Sequence, residues 1–430
     1  MKTGIRLIDI VRGTSILDYY YALKILADNN DEIIKRRMSN LTGLLKVLKA
    51  NNNFYKPLLD RFTIDEIESY PLVVTSNLPV TDKQTINQHF DGIFTPVKGR
   101  PHQKKKTGGS TGAPFYYYVD KEHLSWFWAH IYFFWNRFGG YKPGDPFVTI
   151  AGNSLRTANR QFTESIYHRL QNNYFIKGDV IDKNPELSVS KIRKAVLLYG
   201  YPSSIQNMLT ARPDLPALFT HLKAIFTTSE QLTPQTRKAI ETAFNKPVFD
   251  MYGANDGGIL TCECTEHNGY HINTLNCHAE NMKNEHGMCE ILLTNLSSQS
   301  FPFIRYRVGD LGKVENEPCG CGLQWPRIVD LKGRTRDLIR MPSGGVIHGS
   351  YFNNIFYRFT QVDGYRIVQQ KDFSLDVYIH VNDPAVFEST ASEIDLFIRQ
   401  GLTGISIRIQ PLPELNPTND KFKLIESHAG

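Results

Sequence analysis

Residues 104–120 carry the densest concentration of potential chemistry in the chain: Lys-Lys-Lys-Thr-Gly-Gly-Ser-Thr-Gly-Ala-Pro-Phe-Tyr-Tyr-Tyr-Val-Asp. Thr107, Gly108, Gly109, Ser110, Thr111 and Gly112 form a hydroxyl- and glycine-rich loop ahead of an aromatic, strand-like run. Glycines let backbone N–H groups approach a polyanion closely, and hydroxyls add further donors. The spacing G-x-x-x-x-G-K-[ST] does not occur, so this is not a Walker loop. Lys104–Lys106 beside it suit a small polyanion such as ATP better than a duplex. Taken singly, an ordinary Gly/Ser turn and a solvated basic segment are the commoner readings.

Four later segments give the loop a context. Thr227–Glu230 (Thr-Thr-Ser-Glu) follows an expected strand and presents Ser229 and Glu230. Asp250–Gly257 (Asp-Met-Tyr-Gly-Ala-Asn-Asp-Gly) is a strand running into a glycine-rich turn. There Tyr252 has a face for stacking on a base, and Asp256 has the hard oxygen that Mg²⁺ prefers. Arg305–Asp310 ends in Asp310, an acceptor suited to ribose hydroxyls, and residues 333–345 follow with Arg334. Each has a plain structural reading as well: a turn former at Asp256 and Asp310, a core tyrosine at Tyr252.

The cysteines form a second constellation. Cys262-Glu-Cys-Thr-Glu-His267 and Cys319-Gly-Cys-Gly322 are two short, turn-rich knuckles. Together they can supply a tetrahedral Cys₃His zinc site. The set expected is Cys264, His267, Cys319 and Cys321, with Cys262 or His271 as substitutes. With four protein ligands the metal is structural, clamping the turn after Asp256 to the segment after Asp310. Buried free thiols are the alternative.

The elements that position these groups follow from the pattern. About Ile16 to Arg61 has apolar residues at three- and four-residue spacing and few glycines, so residues 1–90 read as a helical lead-in. Short β-rich runs then alternate with helices: Phe147–Ile150, Ala224–Thr228, Val248–Tyr252 and Glu290–Thr294. Phe303–Val308 alternates as a half-exposed strand does. Past Gly333 the character changes. Tyr365–Gln369, Leu375–Val381 and Ile405–Gln410 read as strands, with a helix from about Pro384 to Arg399. The expectation is an α/β chain (α+β overall): a large N-terminal domain, 1–335, with mixed sheets and helices, and a small mobile α+β domain, 336–430.

With 430 residues, 41% of them hydrophobic, the chain is long and apolar enough for such a core. A net charge of +6 is mild, and no nucleic-acid-binding module is recognisable, so nucleic acid is not an expected partner. Met1–Gly13 is too polar for a secretory signal. Leu124–Phe138, the most apolar stretch, contains His130, Asn136 and Arg137 and falls short of the ~20 apolar residues needed to cross a bilayer. It reads as a buried aromatic helix, there is no membrane span, and the expected location is cytoplasmic. In a reducing compartment six cysteines are not a disulfide framework.

In this order the segments resemble the adenylate-forming (acyl- and aryl-CoA synthetase) superfamily, in particular its phenylacetate–CoA ligase branch with the relatives found among capsular-polysaccharide genes. Phe54-Tyr55, Leu78-Pro-Val-Thr-Asp-Lys83 and Leu198-Tyr-Gly-Tyr-Pro-Ser-Ser204 belong to the same likeness, which spans most of the chain. Some relatives in that branch carry similar cysteine clusters. The resemblance implies a carboxylate attacking the α-phosphate of ATP, release of pyrophosphate, and displacement of AMP by an acceptor. It implies that Thr107–Gly112 hold the β- and γ-phosphates and that Asp250, Met251, Tyr252 and Gly253 line the adenine site. Asp256 would be the Mg²⁺ ligand, and Asp310 and Arg334 would meet the ribose. The adenylating lysine would be Lys421, with Lys423 as the alternative.

Three positions depart from the family pattern. Asp256 stands for a glutamate, Arg336 for an acidic hinge residue, and Asp420 for a glycine; they bear on rate and on the second half-reaction. The expected cofactors are ATP, Mg²⁺ and a structural Zn²⁺. The expected substrates are a small carboxylic acid and an acyl acceptor. CoA is the default acceptor; an amine of a sugar or amino acid, giving an amide, is the alternative. A catalytically degenerate nucleotide-binding protein is the reading from a different class. The acid is not legible beyond a mild preference for aromatic acids, from Tyr199, Tyr201 and the run Trp126–Trp135. Oligomeric state stays open, a homodimer included.

Overall fold

The N-terminal helices begin earlier than their periodicity suggests. Lys2–Arg12, Ile16–Leu26 and Asn30–Asn51 are all helical, and short helices continue to Ile93. Asn29 caps the third through the Glu32 amide, and Thr63 and Glu66 make a reciprocal capping box on Ile64–Ser69. The computed structural model describes residues 2–96, 102–107, 115–151, 161–177, 187–254, 256–284, 287–334, 338–343, 346–348, 350–356, 359, 361–381, 383–402, 404–412 and 425–429.

Contacts divide the chain into two units. The first comprises Met1–Met282, Ile291–Val308 and Lys313–Val329; the second comprises Lys283–Glu290, Gly309–Gly312 and Asp330–Gly430. The expected boundary near Arg336 lies within the second unit, which two short earlier segments also join.

In the first unit the aromatic stretch is the helix Lys121–Gly139. Asp120 caps it by accepting the His123 amide, and Gly140 ends it at φ +65°, where a side chain would be strained. Its later rings, Tyr132 to Trp135, are core, while Trp126, Phe127 and Trp128 are partly buried. Tyr132, Phe133, Phe134 and Trp135 are all at most 2% exposed, and Trp135 packs against Phe147, Tyr199 and Phe226. The hydrophobic effect accounts for this: four large adjacent rings are worth more buried than lining solvent.

Five parallel strands form the central sheet, in the spatial order Asn173–Lys177, Phe147–Ala151, Leu197–Gly200, Ala224–Thr228, Val248–Met251. Phe147–Ala151 and Ala224–Thr228 are buried at every position, as expected of a sheet with helices on both faces. Beyond them Gly253–Ala254, Ile259–Glu263, Tyr270–Ile272 and Arg327–Arg334 pair antiparallel in a further sheet. The strand expected from Phe303 begins only at Tyr306, because Arg305 takes a left-handed φ of +46°.

The second unit is a separate α+β layer. Its sheet has the order Ile407–Pro411, Leu375–Val381, Val362–Gln369, Ile425–Ser427, and the helices Ser350–Phe356 and Phe387–Gly401 contribute to its own apolar core. Buried Gln369 bonds the Arg340 amide and carbonyl and the Ser427 hydroxyl, tying the hairpin Leu338–Arg340/Val346–His348 to the sheet. No helix among the described residues is long and apolar enough to cross a membrane.

Candidate functional site

The parallel sheet reverses its strand order between Phe147–Ala151 and Leu197–Gly200: the chain first steps outward to Asn173–Lys177, then returns. Open parallel sheets bind ligands beyond the carboxyl ends of their strands, at such a reversal. Three expected segments lie at these ends, on adjacent strands. Tyr201 and Pro202 follow Leu197–Gly200, Ser229 and Glu230 follow Ala224–Thr228, and Tyr252 follows Val248–Met251. Ser229 turns the chain at φ +69° and is exposed with Glu230. The Glu230 carboxylate accepts the Ser203 amide at 3.0 Å and the Ser203 hydroxyl at 2.9 Å, linking two strand ends. Met251 is buried, Tyr252 half-buried and Gly253 exposed. The Tyr252 carbonyl accepts the Thr261 amide and hydroxyl, at 2.8 and 2.9 Å, which holds the backbone at the strand end.

Asp250 sits deeper than a ligand-lining residue would. Its carboxylate accepts the Thr227 hydroxyl at 2.5 Å and the Tyr270 hydroxyl at 2.9 Å. Its amide donates to Glu263, which also takes Arg237 at 2.6 Å. Burial pushes the Asp250 carboxyl up to about 6, against the two hydroxyl donors, with the Glu263 charge adding to the rise. Folded Asp250 therefore keeps its proton to higher pH than the unfolded chain, whose aspartates titrate near ~3.9. The native state binds more protons in that window, so this group's contribution to stability falls as pH rises from about 4 to about 6. Asp250→Asn removes that slope. Its melting temperature relative to the parent should rise across the window, by an amount reflecting at most about 3 kcal/mol. A flat difference from pH 4 to pH 6.5 in thermal melts would contradict this.

Asp256 lies in the turn that follows. Gly257 and Gly258 have φ of +92° and +70°, and a Cβ on Gly258 would come within 2.1 Å of Asn295 Nδ2, so only glycine fits. Asn295 Nδ2 donates to the Gly257 carbonyl, and Asn273 and Asn276 donate to that of Gly258. On this rigid turn Asp256 Oδ2 accepts the Tyr306 hydroxyl at 2.8 Å and lies 3.1 Å from Lys83 Nζ. Burial, then the Asp256 charge, pushes the Tyr117 phenol well above its ordinary range, which keeps it a neutral donor. One carboxylate suits magnesium, which is held by one or two protein carboxylates together with waters and phosphate oxygens.

The cysteine knuckles converge, with one exchange. Cys264, His271, Cys319 and Cys321 place their ligand atoms within 4.8 Å of one another. Cys264 Sγ is 3.6 Å from Cys319 Sγ, and Cys321 Sγ is 3.2 Å from His271 Nε2. His271 Nδ1 lies 3.2 Å from the Trp325 carbonyl, which selects the tautomer leaving Nε2 free to ligate. The sulfur–sulfur separation is too long for a disulfide. His267, the expected histidine, stands elsewhere: it stacks on Phe249 and faces Glu263 at 3.3 Å. The strand bounds explain the exchange. Along Ile259–Glu263, Cys262 and Glu263 point to opposite faces, whereas His267 lies past the strand end in a turn, at a left-handed φ of +48°. His271 is in register with Cys262 across the ladder, and Cys262 itself is absorbed in the core.

The remaining expected residues divide as follows. Thr107 ends the strand His102–Thr107, paired with Phe115–Asp120, while its side chain and Gly108, Gly109, Ser110, Thr111 and Gly112 lie outside the described residues. So do Arg336, Asp420, Lys421, Lys423 and the side chain of Arg334. Asp310 is buried in the strand Tyr306–Glu315 and counts, with Arg334 and Lys421, in the second unit. Lys83 and Tyr306 as partners of Asp256, and the Asp250–Glu263–Arg237–Tyr270 network, were not anticipated. The alternation of Tyr306, Arg307 and Val308 was the one available signal for Tyr306.

The fold is a mixed α/β architecture with the expected segments gathered at adjacent strand ends. No family model matches the chain. It is 26% identical over 339 residues to Protein CapK of Staphylococcus aureus, covering 76% of this chain and 74% of that one. It is 22% identical over 348 residues to the phenylacetate-coenzyme A ligase of Thermus thermophilus, covering 77% of each. The solved structure of 2-hydroxyisobutyryl-CoA ligase in the postadenylation state, with R3-HIB-AMP, superposes with a TM-score of 0.70 over 92% of this chain and 89% of that one, at 17% identity. The chain thus shares sequence similarity with CapK and a phenylacetate-coenzyme A ligase, and the fold of the 2-hydroxyisobutyryl-CoA ligase.

Proposed function

We propose that this protein is an ATP-dependent carboxylate ligase that makes an acyl-adenylate and passes the acyl group to CoA. The observation that carries the reading is the alignment of Ser229–Glu230 and Met251–Gly253 at adjacent strand ends, with Asp256 fixed in the next turn. A carboxylate oxygen of the acid attacks the α-phosphorus of ATP, and the bond to the β-phosphate oxygen breaks, releasing pyrophosphate. The CoA thiolate then attacks the acyl carbon, and the bond to AMP breaks. The strand ends hold the base and acid in place, and Lys421 lends positive charge to the α-phosphate. Magnesium, when bound through Asp256, neutralises charge on the phosphate oxygens.

The likeness to CapK supports a second reading, in which an amine of a sugar or amino acid replaces CoA and an amide forms. Pyrophosphate release from Mg·ATP across aromatic, aliphatic, amino and sugar acids tests the first step, with hydroxylamine as trap. At least one acid should release pyrophosphate well above background, and CoA should yield its thioester. Turnover with hydroxylamine but none with CoA would transfer the assignment to amide formation. ATP binding with no pyrophosphate from any acid would favour a degenerate nucleotide-binding protein.

Cys264, His271, Cys319 and Cys321 fit a structural zinc ion: three soft thiolates and one imidazole, a donor set that leaves no position for substrate. The metal would join the turn after Ile259–Glu263 to the knuckle ahead of Arg327–Arg334.

A further inference from the structure

A cation already stands at the carboxylate assigned to magnesium. Lys83 Nζ is 3.1 Å from Asp256 Oδ2, the oxygen that also accepts the Tyr306 hydroxyl. The Asp256 side chain is only 11% exposed and that of Lys83 30%, so water screens the pair incompletely.

The backbone of Lys83 is held from two directions. Thr81 bridges to Tyr306, its amide donating to the Arg305 carbonyl and its carbonyl accepting the Arg307 amide. Asp82 caps the helix Lys83–Gln88 through the Thr85 amide and hydroxyl. Only the flexible stem of the lysine can therefore move. Its ammonium also lies 5.5 Å from the centroid of Phe115, the first described residue beyond the glycine-rich loop. Phe115 in turn stacks on Tyr306. An aromatic face of this kind is a favourable neighbour for a cation that leaves its carboxylate.

We propose that Lys83 guards Asp256, its ammonium excluding free divalent metal until the phosphates of a nucleotide take the ammonium over and metal and nucleotide enter together. This rests on the reading of Asp256 as the magnesium ligand. A divalent ion and an ammonium a few ångströms apart on one carboxylate repel strongly, so each disfavours the other. A polyphosphate supplies new acceptors for the three N–H donors of the lysine. The carboxylate is then released to the metal that the same phosphates carry. Lys83 would thus suppress metal binding in the absence of nucleotide and strengthen nucleotide binding.

Manganese titration followed by electron paramagnetic resonance reads this without turnover, using the full chain with and without α,β-methylene ATP, which cannot donate its adenylyl group. In Lys83→Met, nucleotide-free Mn²⁺ binding should tighten about tenfold and affinity for the analogue should weaken about tenfold. Lys83→Arg, which keeps the charge, should retain weak nucleotide-free metal binding, and unchanged circular dichroism would show that both variants fold. Unchanged nucleotide-free Mn²⁺ binding in Lys83→Met, with Asp256→Asn still losing nucleotide-dependent Mn²⁺, would overturn the guard alone. If Asp256→Asn keeps parental Mn²⁺ binding with the analogue, Asp256 is not the ligand and the proposal falls with that reading.

Discussion

Lys421→Ala should slow acyl-adenylate formation by on the order of 10²–10³-fold while leaving ATP affinity within about twofold. The reason lies in timing. Negative charge grows on the α-phosphate oxygens only as the carboxylate attacks, so an ammonium placed there acts mainly on the transition state. Pyrophosphate exchange measures the first quantity and calorimetry with ATP the second. Lys421 belongs to a tail segment just ahead of the strand Ile425–Ser427, which pairs parallel with Val362–Gln369. Lys423→Ala provides the comparison. If it loses the exchange and Lys421→Ala does not, the adenylating lysine is Lys423. If neither loses it, the α-phosphate charge is met by another group.

The second large effect concerns metal. Protein purified without added metal should contain about one zinc per chain by elemental analysis, and Cys319→Ser should contain far less. Stripping the metal should lower the melting temperature by roughly 5–10 °C, since binding free energy to a preformed site adds directly to folding stability. The loss should be smaller than in a zinc finger, because the knuckles adjoin strands that already pair with one another, Tyr270–Ile272 with Ile259–Glu263 and with Arg327–Arg334. His267→Ala should leave zinc content unchanged and His271→Ala should not. Folded, metal-free protein with parental stability would mean that the four groups are a buried thiol cluster. Equal zinc loss from both histidine variants would mean that the turn at His267 holds the knuckle in place.

Much of the architecture was legible from local pattern. Ala224–Thr228 and Leu375–Val381 appear as strands at the expected bounds, and Phe147–Ile150 differs by one residue. These segments are β-branched or aromatic, bounded by turn residues, and buried, so propensity and packing agree. The strand expected from Phe303 does not start there, because a left-handed residue at Arg305 resets the backbone, and nothing in its side chain announces that. The boundary at Arg336 was placed by a change in composition. That Gly309–Gly312 groups with the second unit is something a linear reading cannot detect.

The candidate site divides along the same line. Residue type and short spacing were sufficient for the glycine turn at Gly257 and the two cysteine knuckles, because each depends on a few contiguous residues. Which histidine joined the sulfurs, and which cation met Asp256, depended on groups brought together by folding. His271 stands by the sulfurs because its strand pairs it with Cys262, whereas His267 lies in the turn between the two strands and faces Glu263. Lys83 reaches Asp256 across more than a hundred and fifty positions of sequence because Thr81 bridges to Tyr306. Spacing along a chain carries no information about such encounters, since they are set by the packing of whole elements in three dimensions.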